Sequence, residues 1–262
     1  MAFHIDTTLR ERWRQEGERW FSTLPEGWSQ GRSVYGGITA AMSVALGHRY
    51  AQGRSLRSVS MHLMRPSLPG EVEGKVALIR SGRNVSFVEV TLLQSAKEVS
   101  RATLVFVVDN PAALRVGAKS PSPKLPVDAL QTMPRPPGRI PEFVQHVEMR
   151  WITGDYPFMG SSESDLTGYC RFLVPAGGPE GLIALLDVWP APPLAMLKAP
   201  APASTVSWNA HLVKVPETLN DWCYYRYETV IGHGGYHTCA GHLYDSEGAL
   251  LAYSEQLVAL YG

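Results

Sequence analysis

Ser58-Val-Ser-Met-His-Leu-Met-Arg65 and Ser207-Trp-Asn-Ala-His-Leu-Val-Lys214 decide the fold, because they read as one segment written twice. Serine lines up with serine, histidine with histidine and Arg65 with Lys214. The likeness extends outward, since the turn at Gly82 lines up with one at Gly232, and Ser100-Arg-Ala102 with Leu250-Leu-Ala252. Before the first copy, residues 36–50 are small and apolar and predict a helix pressed against a sheet. Strands are expected at 56–64, 71–80, 85–95 and 99–108, from β-branched enrichment and turn punctuation. The connections Gly82-Arg-Asn and Ala96-Lys-Glu are short, so these strands should run antiparallel. A helical opening is expected over 8–18, leading through Trp20-Phe-Ser-Thr-Leu into a loop.

Between residues 110 and 141 proline recurs and hydrophobic periodicity stops, as in a linker. The order of elements then repeats: strands at 144–151 and 169–174, a helix, and strands at 205–213, 222–231, 236–244 and 250–260. The reading is an α+β tandem duplication, with one repeat over 1–109, a linker over 110–141 and a second repeat over 142–262. Each copy wraps its sheet around one central helix. The two sheets should join edge to edge into one continuous antiparallel sheet, which hides strand edges that would otherwise be exposed.

Composition narrows the function classes. The 262 residues are 45% hydrophobic, with 24 basic against 24 acidic side chains and no Lys/Arg-rich run, so there is no field to attract nucleic acid. No apolar run approaches the roughly 20 residues of a membrane helix, and nothing resembles a secretory leader, so a cytoplasmic location is expected. Cys170, Cys223 and Cys239 are odd in number and widely spaced, which suits buried reduced thiols.

The second helix falls in Gly177-Gly-Pro-Glu-Gly-Leu-Ile-Ala-Leu-Leu-Asp-Val-Trp-Pro190, with Asp187 read as a carboxylate within it. Its apolar residues leave no polar stripe, so protein must surround it. A carboxylate there needs a partner or a task. Comparison of the halves adds two residues: Thr205 falls opposite Leu56 and Gln256 opposite Phe106, so hydrogen-bonding groups of the second half replace apolar ones of the first. A carboxylate, an amide and a hydroxyl converging there would hold a water molecule, with Asp187 as general base, and would hydrolyse an activated acyl bond without a covalent intermediate.

These motifs resemble those of the type II acyl-CoA thioesterases, which are tandem double-hotdog proteins. The family's Phe-Gly-Gly-Gln is similar to Tyr35-Gly36-Gly37-Ile38, and its His-x-x-Phe-Leu-Arg-Pro-Gly to His62-Leu-Met-Arg65-Pro66. The family's water-holding Asp, Thr and Gln match Asp187, Thr205 and Gln256, and Asp245 to Gln256 fits its closing hairpin without a gap. Where the family shows Asp-His-Ser after the threonine, this chain has Ser207-Trp208-Asn209, and Ile38 replaces the glutamine. The resemblance implies an acyl-CoA substrate and a role in substrate binding for Gly36, Gly37, Ser207, Trp208 and Asn209. It implies no metal or organic cofactor, because the thioester is already activated, and a homo-oligomer is expected. The rivals are a non-catalytic acyl-binding protein and a hotdog hydratase or dehydratase, although no Asp-plus-His signature for the latter is found.

Other candidates are weaker. His233, His237, Cys239 and His242 invite a metal reading, but 237 and 239 share one face of a strand and 242 the other. Gly160-Ser-Ser-Glu-Ser lacks the second glycine of a nucleophile elbow. His62 and His211 are matched across the repeat, which points to structure in both copies.

Overall fold

The computed structural model describes residues 3–261 apart from 111–113, 115, 118–120, 122, 124, 137 and 139, so the linker lies partly outside the described residues. The strands are β1 (Arg14–Glu16), β2 (Arg19–Leu24), β3 (Ser29–Gln30) and β4 (Ser33–Val34), followed by helix α1 (Gly36–His48). Then come β5 (Ser55–Leu63), β6 (Gly70–Ser81), β7 (Val85–Gln94) and β8 (Lys97–Val107). The second half holds β9 (Val147–Thr153), β10 (Asp165–Phe172), α2 (Gly178–Leu185), β11 (Ala203–Leu212), β12 (Cys223–His233), β13 (Tyr236–Tyr244) and β14 (Leu250–Leu260).

Twelve strands form one antiparallel sheet in the order β1-β2-β6-β7-β8-β5-β11-β14-β13-β12-β10-β9, while β3 and β4 form a small ribbon of their own. The order reads the same from both ends once the repeat is applied. The halves meet edge to edge at β5 and β11, where Asn209 pairs with Ser60 and Ser207 with His62. Ser60 and Asn209 are matched residues, so a pseudo-twofold axis runs through their pair, and Ser60 Oγ donates to Asn209 Oδ1 at 2.7 Å. Ladder irregularities recur at matched places: Leu56/Ser58 with Thr205/Ser207, Leu78/Arg80 with Thr229/Ile231, and Leu92/Leu93 with Leu243/Tyr244. A bulge adds a residue and turns the faces of the strand over, so its retention in both copies preserves which side chains point inward.

Both helices lie against each other and against the inner face of the sheet, and every residue of α2 is buried. That is the physical meaning of their all-round apolar sequence. The sheet edges are blunted: β1 is three residues long, and residues 127–135 run beside β9, with Met133 N–H donating to Met149 O at 2.9 Å.

Four expectations are corrected. The opening is a 3-10 helix over Thr7–Arg12 and then a hairpin through Gly17, not a helix over 8–18. Leu9 and Trp13 stand four apart and mimic an α-helical stripe, yet Leu9 is buried from the 3-10 turn and Trp13 from the extended residue that ends it. The segment Trp20 to Leu24 is a strand, the counterpart of β10. The second hairpin turns at Gly234 and Gly235, both at positive φ, while Gly232 stays in the ladder opposite His237. Finally, α2 ends at Leu185, so Asp187 lies beyond the helix rather than within it. Pro190 has no N–H to offer Leu186 O, and the Tyr225 hydroxyl donates to that carbonyl at 2.8 Å instead. The Tyr35 hydroxyl likewise serves Ala184 O.

Candidate active site

The chain leaving α2 turns Asp187 toward the N-terminus of α1. A Cβ built on Gly36 would lie 2.8 Å from Asp187 Oδ2, so only glycine admits the carboxylate at this distance. The Gly37 N–H acts on the carboxylate as a hydrogen-bond donor, and the positive end of the α1 dipole faces it. Gln256 Nε2 donates to Asp187 Oδ1 at 2.7 Å. Burial opposes these contacts and outweighs them: it raises the carboxyl from its ordinary 3.8 to about 7, the Gln256 and Gly37 donors recovering part of the loss.

Gln256 is only 4% exposed, while Glu255 beside it faces solvent, as alternation on β14 requires. Its Oε1 accepts from Thr205 Oγ1 at 3.3 Å and from the Tyr227 hydroxyl at 3.1 Å. Thr205 reaches this cluster because of the bulge at Val206. In an unbroken strand Thr205 would share the outward face of Ser207 and Asn209; the extra residue returns it to the inward face of Trp208. Asp187, Thr205 and Gln256 are thus brought together against Gly36 and Gly37. Trp208 is buried on the same side of the sheet, opposite Gln256 in the ladder. Asn209 is exposed on the outer face and bonded to Ser60, and Ser207 points outward with it.

Tyr227 escaped the sequence reading. The available signal was the run Cys223-Tyr-Tyr-Arg-Tyr227, in which 225 and 227 share the inward face, and a buried phenol requires a hydrogen-bond partner. Tyr225 is accommodated by Gly241, where a Cβ would overlap its hydroxyl.

The first half lacks this machinery. Ladder registers correct the match of Gln256 with Phe106: Val59 pairs with Leu104 and its counterpart Trp208 with Gln256, so Leu104 is the counterpart of Gln256. The two-residue slip keeps the face and arises because the β8 and β14 segments were aligned through their hairpin ends. The match of Thr205 with Leu56 holds. Leu56, Leu104 and Phe106 are all buried, and Phe106 sits edge-on to His48. The opening segment completes the closure of this half: Leu9 and Trp13 enter the core, and Arg10 holds the wholly buried Glu180 of α2 through two hydrogen bonds, of 2.7 and 3.2 Å. Gly74, the counterpart of Tyr225, leaves room for Leu46 and Trp13.

The three cysteines are free and buried. His62 and His211 lie on the exposed face of the sheet rather than in its core. Among the described residues, no three His, Cys, Asp or Glu side chains gather as metal ligands, and no helix is long and apolar enough to cross a membrane.

One continuous antiparallel sheet curved over two buried helices defines the double-hotdog class. Residues 24–107 match the N-terminal domain model of acyl-CoA thioesterases and residues 127–260 the C-terminal domain model, so the chain belongs to the acyl-CoA thioesterase family. Solved structures share the fold over the full length. A hot dog fold protein of Alicyclobacillus acidocaldarius superposes with a TM-score of 0.86 at 19% identity, covering 100% of this chain and 99% of that one. The tesB protein of Mycobacterium avium subsp. paratuberculosis gives 0.76 at 18% identity over 98% of each chain. An acyl-CoA thioesterase II, TesB2, of Mycobacterium marinum gives 0.76 at 14%, covering 97% and 98%. No curated protein matches the chain.

Proposed function

We propose that the protein hydrolyses acyl-CoA thioesters to the free acid and CoA, with Asp187 as general base for a water molecule held by Asp187, Thr205 and Gln256. The observation that carries this reading is a carboxylate with its pKa raised to about 7, bonded to an amide and set against a helix N-terminus. A base of that pKa takes a proton from water far more readily than an ordinary aspartate, and still ionises near neutrality. The water oxygen attacks the thioester carbonyl carbon while Asp187 takes one of its protons. The carbonyl oxygen becomes an oxyanion, received by the first-turn amides of α1. With the Gly37 N–H serving Asp187, we assign the oxyanion to the neighbouring first-turn amide, Gly36 N–H. Collapse breaks the C–S bond, and the departing thiolate takes the proton back from Asp187.

The resemblance points to Trp208, Ser207 and Asn209 for substrate binding, but Trp208 alone shares the face of the base, so we keep this role for Trp208 and not for Ser207 or Asn209, which face outward. CoA release measured over a series of acyl chain lengths tests the assignment. Because Asp187 must be ionised to act, kcat/KM should rise with pH through a midpoint near 7. An acyl-binding protein without turnover would release no CoA at any pH, and a midpoint near 4 would remove Asp187 as the buried base.

A further inference from the structure

Gln256 has two faces of nearly equal shape, and which one meets Asp187 decides whether the site works. With Nε2 toward the carboxylate, a donor meets an acceptor; with the amide reversed, Oε1 would face Oδ1 and the two would repel. Thr205 settles the choice only weakly, because an aliphatic hydroxyl donates and accepts about equally well and its contact is the longer one at 3.3 Å, whereas a phenol is the stronger donor and the weaker acceptor. We infer that Tyr227 is a positioning residue of this site, its phenol donating to Gln256 Oε1 and so locking the amide with Nε2 on Asp187.

Three observations carry the inference. The Tyr227 hydroxyl lies 3.1 Å from Gln256 Oε1, and the side chain is buried, with its ring fixed edge-on to Tyr225 at 5.5 Å. Burial pushes the phenol pKa well above 10, so it keeps its proton and stays a donor across the working pH range. The ladder also matches Tyr227 with Val76, since Tyr227 pairs with Gly241 as Val76 pairs with Val90. The hydroxyl is therefore present only in the half that carries Thr205 and Gln256, and its chain of donors runs Tyr227 to Gln256 to Asp187.

The inference rests on the hydrolase reading, so its test includes a measurement that needs no turnover. Full-length Tyr227→Phe should keep KM within about twofold and lower kcat about five- to tenfold, the worth of one buried hydrogen bond. The acid limb of kcat/KM and the titration midpoint of Asp187, followed by carboxyl carbon NMR, should both move to higher pH, because the donor that lowers this pKa is no longer held. Phe106→Leu, a buried ring of the other half, controls for lost packing and should not move the Asp187 midpoint. On an Asp187→Asn background, Tyr227→Phe should add no further loss. Should Tyr227→Phe fold poorly, fluorotyrosine at position 227 keeps the shape and strengthens the donor, and should move the midpoint to lower pH. An unmoved Asp187 midpoint in both 227 variants overturns the inference, as does an undiminished loss on the Asp187→Asn background. A wild-type protein that releases no CoA overturns the hydrolase reading and leaves the NMR test of Tyr227 intact.

Discussion

Asp187→Asn should lose about 10²-fold or more in turnover and, at neutral pH, become more stable than wild type. Asparagine keeps the shape and removes the charge, so the fold has no reason to change. The gain in stability follows from the pKa. In the unfolded chain Asp187 ionises near 3.8, whereas in the fold it holds its proton until about 7. Between these values the native state binds more protons than the unfolded state, so wild-type stability falls as pH rises, and above about 7 the full penalty of burying the charge is present. At pH 4 the variant and wild type should melt alike. Their difference should grow to a few kcal/mol by pH 7 to 8 and stay constant beyond. Melting temperature against pH for both proteins reads this directly; parallel curves would mean that Asp187 is not buried as an anion.

Gln256→Leu should also abolish most activity, about 10²-fold, because it removes three contacts at once. Asp187 loses the 2.7 Å donor that offsets part of its burial, so less of it is ionised at pH 7. The Thr205 and Tyr227 hydroxyls lose their shared acceptor, which is costly above all for the buried Tyr227. Phe106→Leu in the closed half is the contrasting variant. Phe106 is buried against His48, so shortening it should cost about 1 kcal/mol of packing and leave the catalytic step nearly intact. Turnover number and melting temperature on both variants decide the matter. If Phe106→Leu proves the more damaging to turnover, with Gln256→Leu near wild type, the site lies in the other half.

The duplication was legible because it is written in side chains: two octapeptides that pair about one axis cannot easily arise otherwise. The edge-to-edge join followed from strand edges that must be covered, and the structure makes it between β5 and β11. What the residues hid was backbone irregularity. The bulge at Val206 brings Thr205 to Gln256, and nothing in the local composition announces it. Helix α2 ends at Leu185, short of the stop expected at Pro190, because tyrosines distant in sequence, 35 and 225, satisfy carbonyls that a continuing helix would otherwise need. The opening segment differs for the opposite reason, a helical spacing of Leu9 and Trp13 realised by a 3-10 turn and the extended residue that caps it. Thr205 and Gln256 were found by their absence from the other half, and Tyr227 obeys the same rule once the ladder supplies its counterpart, Val76.

Direct attack on the thioester carbonyl by the water held at Asp187, with no acyl-enzyme, is the claim on which the rest depends. A single-turnover reaction in oxygen-18 water, with enzyme in excess over acyl-CoA, tests it most directly. If Asp187 acts as a base, every molecule of released acid should carry one heavy oxygen, and the enzyme should gain none. Acid released without label in the first turnover, with heavy oxygen appearing in the Asp187 carboxyl, would mean that Asp187 had formed an anhydride, and would contradict the account.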